Sequence, residues 1–236
     1  MEQVHTISYG TTEIDFKLSY STRKTLGITV NPDLTVRVIA PYNSSIKKVK
    51  DKVEKKARWI VRQKEFFGDF LPKTPAKEYV SGETHLYVGK QYRLKLIKAR
   101  ARTVKMTKGY INVYLPDKAE KRVVMLLLND WYREHALRIF EWRIKANLER
   151  FKKHKIEYPK LIVRRMEKRW GSCTPNGTIT LNPEIIKAPV GCIDYVIIHE
   201  LCHIVNRNHD KKFYQLQARV MPDWKKWKDR LEKILV

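Results

Sequence analysis

"VIIHELCHIVNRNH", residues Val196 to His209, sets one glutamate and three histidines into an apolar run. At 3.6 residues per turn, His199 and His203 stand on one helix face and can turn two imidazole nitrogens toward one metal ion. Glu200 is rotated about 100 degrees from His199, close enough to reach a water on that metal without ligating it. Catalytic zinc takes three protein ligands and leaves a fourth position for water, and His209 is the leading candidate for the third. The spacing from His199 to His209 is that of the string HExxHxxGxxH, with Asn206 at the glycine position. Asn tolerates a left-handed helix end nearly as well as Gly, so a left-handed exit from the helix is expected. The alternative is an ordinary buried amphipathic helix, but that would bury the Glu200 carboxylate without a partner, which is costly. Cys202 points away from the ligand face and reads as a small buried hydrophobe. His5, His85, His135 and His154 stand apart and read as surface or structural residues.

The rest of the chain sets the bounds. With 236 residues, 43% of them hydrophobic and 11% aromatic, it can bury one large core or two modest ones, and two subdomains are expected. The start, MEQVHTISYG, has no basic segment followed by an apolar one, and no apolar run approaches the roughly 18 residues of a membrane span. A cytoplasmic protein with no membrane partner is expected. Cys173, Cys192 and Cys202 are an odd number without CxxC spacing, which argues against a disulfide framework or a cysteine zinc site and fits a reducing compartment.

Charge is the compositional outlier, with 49 Lys+Arg against 25 Asp+Glu and a net charge of +24. Such a field attracts polyanions, though it also serves plain solubility. From Lys90 to Lys108 there are eight basic residues and no acid. In QYRLKL they alternate with Tyr92, Leu94 and Leu96, the pattern of a half-buried strand with a cationic wet face. Arg93, Lys95, Arg100, Arg102 and Lys105 are therefore candidate contacts for nucleic acid or nucleotide.

Residues 12 to 40 alternate like strands around an Asn31-Pro32-Asp33 turn, and Asn43-Ser44-Ser45 caps a helix running through Val61. GDFLPKTPAK, with two prolines, is expected to end that helix. Strands YVGKQYRLKLI, ARTVKMT and YINVYLP follow. After Pro116-Asp117 a long helical pattern runs from Val123 to about Lys153. The expected boundary therefore falls there: a mostly-β N-terminal subdomain with one long helix over 1–117, and a catalytic subdomain over 118–236, α+β overall. KLIVRRMEKRWGSC and TITLN form a second β unit around a Thr174-Pro175-Asn176-Gly177 turn, and Pro189 opens the helix bearing the histidines. Two further helices close the chain, and no internal repeat is evident.

RWGSC (Arg169 to Cys173), Leu181-Asn182, DYVIIHELCH (Asp194 to His203), Asn208-His209, Phe213 and Pro222-Asp223-Trp224 resemble the YgjP-like metallopeptidase family, a relative of the SprT-like and WSS-type proteases. Matches upstream extend to SGE (Ser81 to Glu83), YRL (Tyr92 to Leu94) and WYR (Trp131 to Arg133). The resemblance implies a zincin-like, gluzincin-like catalytic subdomain with one zinc ion on His199, His203 and His209. Asp210 stands where the family pattern has serine, and Tyr214 where it has tryptophan. The expected activity is zinc-dependent peptide hydrolysis with Glu200 as general base. A substrate strand would lie along Arg169, Trp170, Gly171 and Ser172, whose glycine allows close backbone approach; the alternative is plain hairpin packing with Trp170 in the core. A metal-dependent nucleotide phosphohydrolase is the alternative, drawn from the charge.

Overall fold

The computed structural model describes residues 3–31, 33–68, 77–116, 120–167 and 169–235. The chain divides into two compact units, residues 1–75 with 236, and residues 76–235.

In the first unit, β1 (Gln3–Tyr9) and β2 (Thr12–Ser21) pair as a hairpin, β4 (Val36–Pro41) runs parallel to β2, and β3 (Gly27–Val30) closes the sheet antiparallel to β4. Period-two alternation in β2 buries Ile14, Phe16 and Leu18 and exposes Glu13, Asp15 and Lys17. The buried side chains share a core with Val49 and Val53 of α1 (Ile46–Lys55) and with Ala57 and Ile60 of α2 (Ala57–Gly68). Ser45 caps α1 as expected, its hydroxyl accepting from the Lys48 N–H. The single expected helix is two, because the Lys56 N–H bonds back to the Val53 carbonyl, a tightened last turn that ends α1. Most of the proposed terminator, GDFLPKTPAK, lies outside the described residues.

The second unit starts with β5 (Thr84–Tyr87), β6 (Lys90–Lys98), β7 (Thr103–Thr107) and β8 (Tyr110–Leu115), ordered β5-β6-β8-β7. Its pairing is antiparallel, parallel, antiparallel, and α3 (Lys121–Leu148) follows. The first unit has the same order and the same senses, β1-β2-β4-β3, and also continues into helix. A repeat is present in the topology although none is evident in the residues.

Beyond α3 come a 3-10 turn (Glu149–His154), β9 (Leu161–Val163), β10 (Gly171–Cys173) and β11 (Ile179–Leu181). A second 3-10 turn (Pro183–Lys187) leads to α4 (Val190–Val205), α5 (Lys211–Val220) and α6 (Trp224–Leu235). The small sheet is ordered β10-β11-β9, which leaves β10 at an edge. Leu94, Ile111 and Val113 from the larger sheet, Val124, Leu128 and Ile144 from α3, and Ile193, Ile197 and Leu201 from α4 form one core. The division expected at 117/118 is thus corrected. Strands β5–β8 were placed with the N-terminal part because they are β-rich, but their apolar face is buried with α3 and α4, and the compact units separate at 75/76. The architecture is mixed α+β, with six helices and three sheets among the described residues. Among them, no helix is long and apolar enough to cross a membrane.

Candidate metal centre

Helix α4 is nearly all core, with Ile193, Val196, Ile197, Ile198, Leu201 and Cys202 buried. Its one half-exposed side carries His199 and His203. Asp194, five residues before His199, fixes the helix in rotation. Both of its oxygens accept from Arg143 of α3, from Nε at 2.7 Å and from a terminal guanidinium nitrogen at 2.6 Å, and Asn147 Nδ2 adds a third bond at 2.8 Å. A bidentate pair of this kind sets orientation as well as distance.

The chain leaves α4 through Asn206 and returns with His209. The expected left-handed exit does not occur, since Asn206 is extended (φ −132, ψ 109). His203 Nδ1 lies 3.3 Å from the Asn206 carbonyl. A carbonyl only accepts, so Nδ1 carries the proton and Nε2 keeps its lone pair. His199 Nδ1 is likewise 3.0 Å from Oε1 of the fully buried Gln217 on α5, which leaves its Nε2 as the free base. The three histidines can offer ligand nitrogens that all lie within 4.8 Å of one another. His199 Nε2 and His209 Nε2 are 3.0 Å apart. Two nitrogens bound at about 2.0–2.1 Å to one tetrahedral ion sit roughly 3.3–3.4 Å apart, close to the spacing of this pair. Burial and the neighbouring imidazoles push His199 down to about 4, so it is neutral, as a ligand must be.

His209 lies on a loop, and a ladder of rings supports it. Its ring stacks on Tyr214 (6.1 Å), Tyr214 stacks on Trp224 of α6 (5.8 Å), and Trp224 stacks on Tyr195 of α4 (6.3 Å). Asp210 caps α5 by accepting from the Phe213 N–H at 2.9 Å, a cap that serine could also make.

Glu200 is 4% exposed. Burial pushes its carboxyl up to about 8, against the pull of the Arg169 guanidinium. It lies against Gly171 of β10, where a Cβ would come within 2.5 Å of Glu200 Oε1. The close approach expected of this glycine is therefore to Glu200. An open cleft of about 500 Å³ passes over these groups, lined by Arg169, Gly171, Ser172, Cys173, Thr174, Pro175 and Arg207 together with His199, Glu200, His203 and His209.

Of the expected strand contacts, Arg169, Gly171 and Ser172 line this cleft. Trp170 does not; it packs, half-buried, against the core. Arg93, Lys95, Arg100, Arg102 and Lys105 are all exposed, on β6, β7 and their connection. Sequence reasoning missed Gln217, Arg207, the Arg143–Asp194 pair and the ring ladder. Two of these had a signal, the ladder in the Pro222-Asp223-Trp224 string and the ion pair in Asp194 at the head of DYVIIHELCH. His85, read as isolated, is buried on Glu83 at 2.9 Å, a structural pair. Cys202 is buried as expected.

Three imidazoles approach one another in an open cleft that a buried carboxylate also lines, an arrangement that could hold a metal ion. A family model described as "YgjP-like, metallopeptidase domain" matches residues 24–234, and the chain belongs to the YgjP-like family. Membership implies a bound metal ion and a peptide or protein substrate. No curated protein matches the chain. Among solved structures, the metallopeptidase zymogen abylysin of Pyrococcus abyssi is 23% identical over 39% of this chain and 90% of its own, with a TM-score of 0.36. Nothing supports the phosphohydrolase alternative.

Proposed function

We propose that the protein is a zinc-dependent peptidase in which His199, His203 and His209 hold the metal and Glu200 is the general base, α4 and the β9–β11 sheet forming a zincin-like layout. The observation that carries this reading is that three histidines bring ligand nitrogens within 4.8 Å of one another in an open cleft that Glu200 also lines. Bound zinc supplies Lewis-acid polarisation of water and of the scissile carbonyl. The open edge of β10 offers backbone groups at Gly171–Cys173 to an extended peptide, which adds as a further strand. Glu200 accepts a proton from water as its oxygen attacks the carbonyl carbon. It returns that proton to the amine nitrogen as the C–N bond breaks. Gly171 leaves room for the carboxylate to swing between the two positions.

A second reading concerns the basic strand. In β6–β8 the register places Lys95 and Lys105 either side of Asn112, with Arg93 beside the 44%-exposed Tyr110. Cations interleaved with an aromatic ring on one sheet face suit a nucleic-acid strand.

The test is peptide hydrolysis by zinc-loaded Glu200→Gln, with metal content measured on the same sample. The variant is expected to keep its metal and lose activity by about 10²-fold or more, while His203→Ala loses the metal. Activity of Glu200→Gln within about tenfold of the unaltered protein refutes the role of the carboxylate, by the scale of general-base effects.

A further inference from the structure

The walls of the cleft are chemically one-sided. Its lining holds two guanidinium groups, Arg169 and Arg207, and a single carboxylate, Glu200, which is buried. Arg169 and Arg207 are both exposed, and among the described residues neither forms a salt bridge. They approach the metal triad from different elements. Arg169 stands two residues before Gly171 on the segment entering β10, and Arg207 lies between His203 and His209 beyond the end of α4. Arg169 precedes Gly171, the point opposite Glu200, by two residues, so its backbone lies within about 7 Å of it. A peptide added to β10 therefore presents a side chain to Arg169 about two residues from the bond under attack. Arg207 meets the chain from the side of the metal ligands.

We infer that the cleft selects peptides with an acidic side chain within about two residues of the cleaved bond, read by Arg169 and Arg207. Guanidinium groups suit carboxylates because their planar fork donates two parallel bonds. A neutral amide in the same place accepts only one, and with less charge to share. The inference uses the peptidase reading above for what happens to the peptide, and stands apart from it for what binds.

The test uses pairs of short fluorescent peptides that differ only by Glu against Gln, or Asp against Asn, at positions flanking the centre. Their Kd values are measured on the zinc-loaded full chain carrying Glu200→Gln, and cleavage by the unaltered protein is followed by product mass. Acidic members are expected to bind about tenfold tighter or more, the scale of one charge-assisted bond. Arg169→Gln and Arg207→Gln, each added to the Glu200→Gln chain, should each cut that ratio several-fold, and Arg→Lys should restore part of it. The pair Lys47→Gln and Lys55→Gln removes as much charge from the surface of the first unit as the two arginine changes together and should leave the ratio alone. A ratio near one, or a ratio that falls equally in the lysine pair, overturns the inference. Selective binding by the arginines with no cleavage of any peptide upholds the selectivity and refutes the peptidase reading.

Discussion

Replacing Gly171 with alanine tests how closely the β10 edge positions the general base. A Cβ built at this position stands 2.5 Å from Glu200 Oε1 and 2.9 Å from its Cγ, whereas ordinary van der Waals contact begins at 3.4 Å. The carboxylate must retreat by roughly 0.9 Å, and because Glu200 is nearly fully buried on a helix pinned through Asp194, it has little room to do so without leaving the water it serves. A misplacement of about 1 Å at a reacting group costs on the order of 10²-fold in rate. Gly171→Ala is therefore expected to lower kcat by about two orders of magnitude. Metal content should stay at one per chain, since no ligand is touched, and KM should change little, because the β10 backbone remains available to the substrate. The assay is steady-state hydrolysis of a peptide with zinc content measured in parallel. A kcat within about threefold of the unaltered protein, with the fold intact, would show that the Glu200 carboxylate is not held where the mechanism needs it.

Asp194→Ala leaves Arg143 and Asn147 without their shared partner between α3 and α4, and removing one member of so buried a pair should destabilise the second unit by about 3–5 kcal/mol in urea unfolding; a loss below about 1 kcal/mol contradicts the pinning role assigned to the pair. Gly191→Ala drives a methyl to within 2.5 Å of Cδ2 and Cζ2 of Trp227, and this overpacking, at about 1–3 kcal/mol, outweighs the roughly 1 kcal/mol alanine adds to helix propensity. The net loss should vanish in a Trp227→Ala background; if it persists there, the indole is not the obstacle. On the basic face, five phosphate contacts by Arg93, Lys95, Arg100, Arg102 and Lys105 predict that nucleic-acid affinity falls with a log-log salt slope of about −4 to −5 for duplex DNA. Glutamine at all five should flatten that slope by several units, and an unchanged slope excludes this face as the contact.

The approach of the three histidines was legible because it depends on local geometry. His199 and His203 are brought together by the pitch of any helix, and His209 by a spacing that a short exit loop can satisfy. What that spacing could not reveal is the loop's conformation, and the extended Asn206 turns its carbonyl into a partner for His203 instead of making a left-handed cap. Gln217, Arg207 and Tyr195 reach the site only because α4, α5 and α6 pack as they do. No periodicity marks them, since Gln217 and Tyr195 are also ordinary residues of their helices and Arg207 lies on the loop between α4 and α5. In the strand read from Arg169 to Ser172, Arg169, Gly171 and Ser172 line the cleft, while Trp170, whose ring is large enough to be drawn into the core, takes the packing role also open to it.

The misplaced boundary and the unseen repeat have one physical origin. A four-stranded sheet of order 1-2-4-3 asks of its strands only that alternate residues be apolar, so two copies can share connectivity and pairing sense without sharing residues. Nor does alternation tell a sheet which helix will cover it. In the first unit the cover is short and broken, α1 ending at Lys55 and α2 starting at Ala57. In the second it is the unbroken 28 residues of α3. The first half of α3 does what the cover of any such sheet must: Trp131 packs against Tyr87, and the Tyr132 hydroxyl donates to the Leu86 carbonyl. Its second half runs on past that contact, and there Arg143 and Asn147 grip Asp194. The added turns give the sheet's helix a second surface, and that surface fixes the rotation of α4, hence the direction in which His199, Glu200 and His203 point. The β5–β8 sheet belongs with the histidine triad because the helix that covers it also aims His199 and His203.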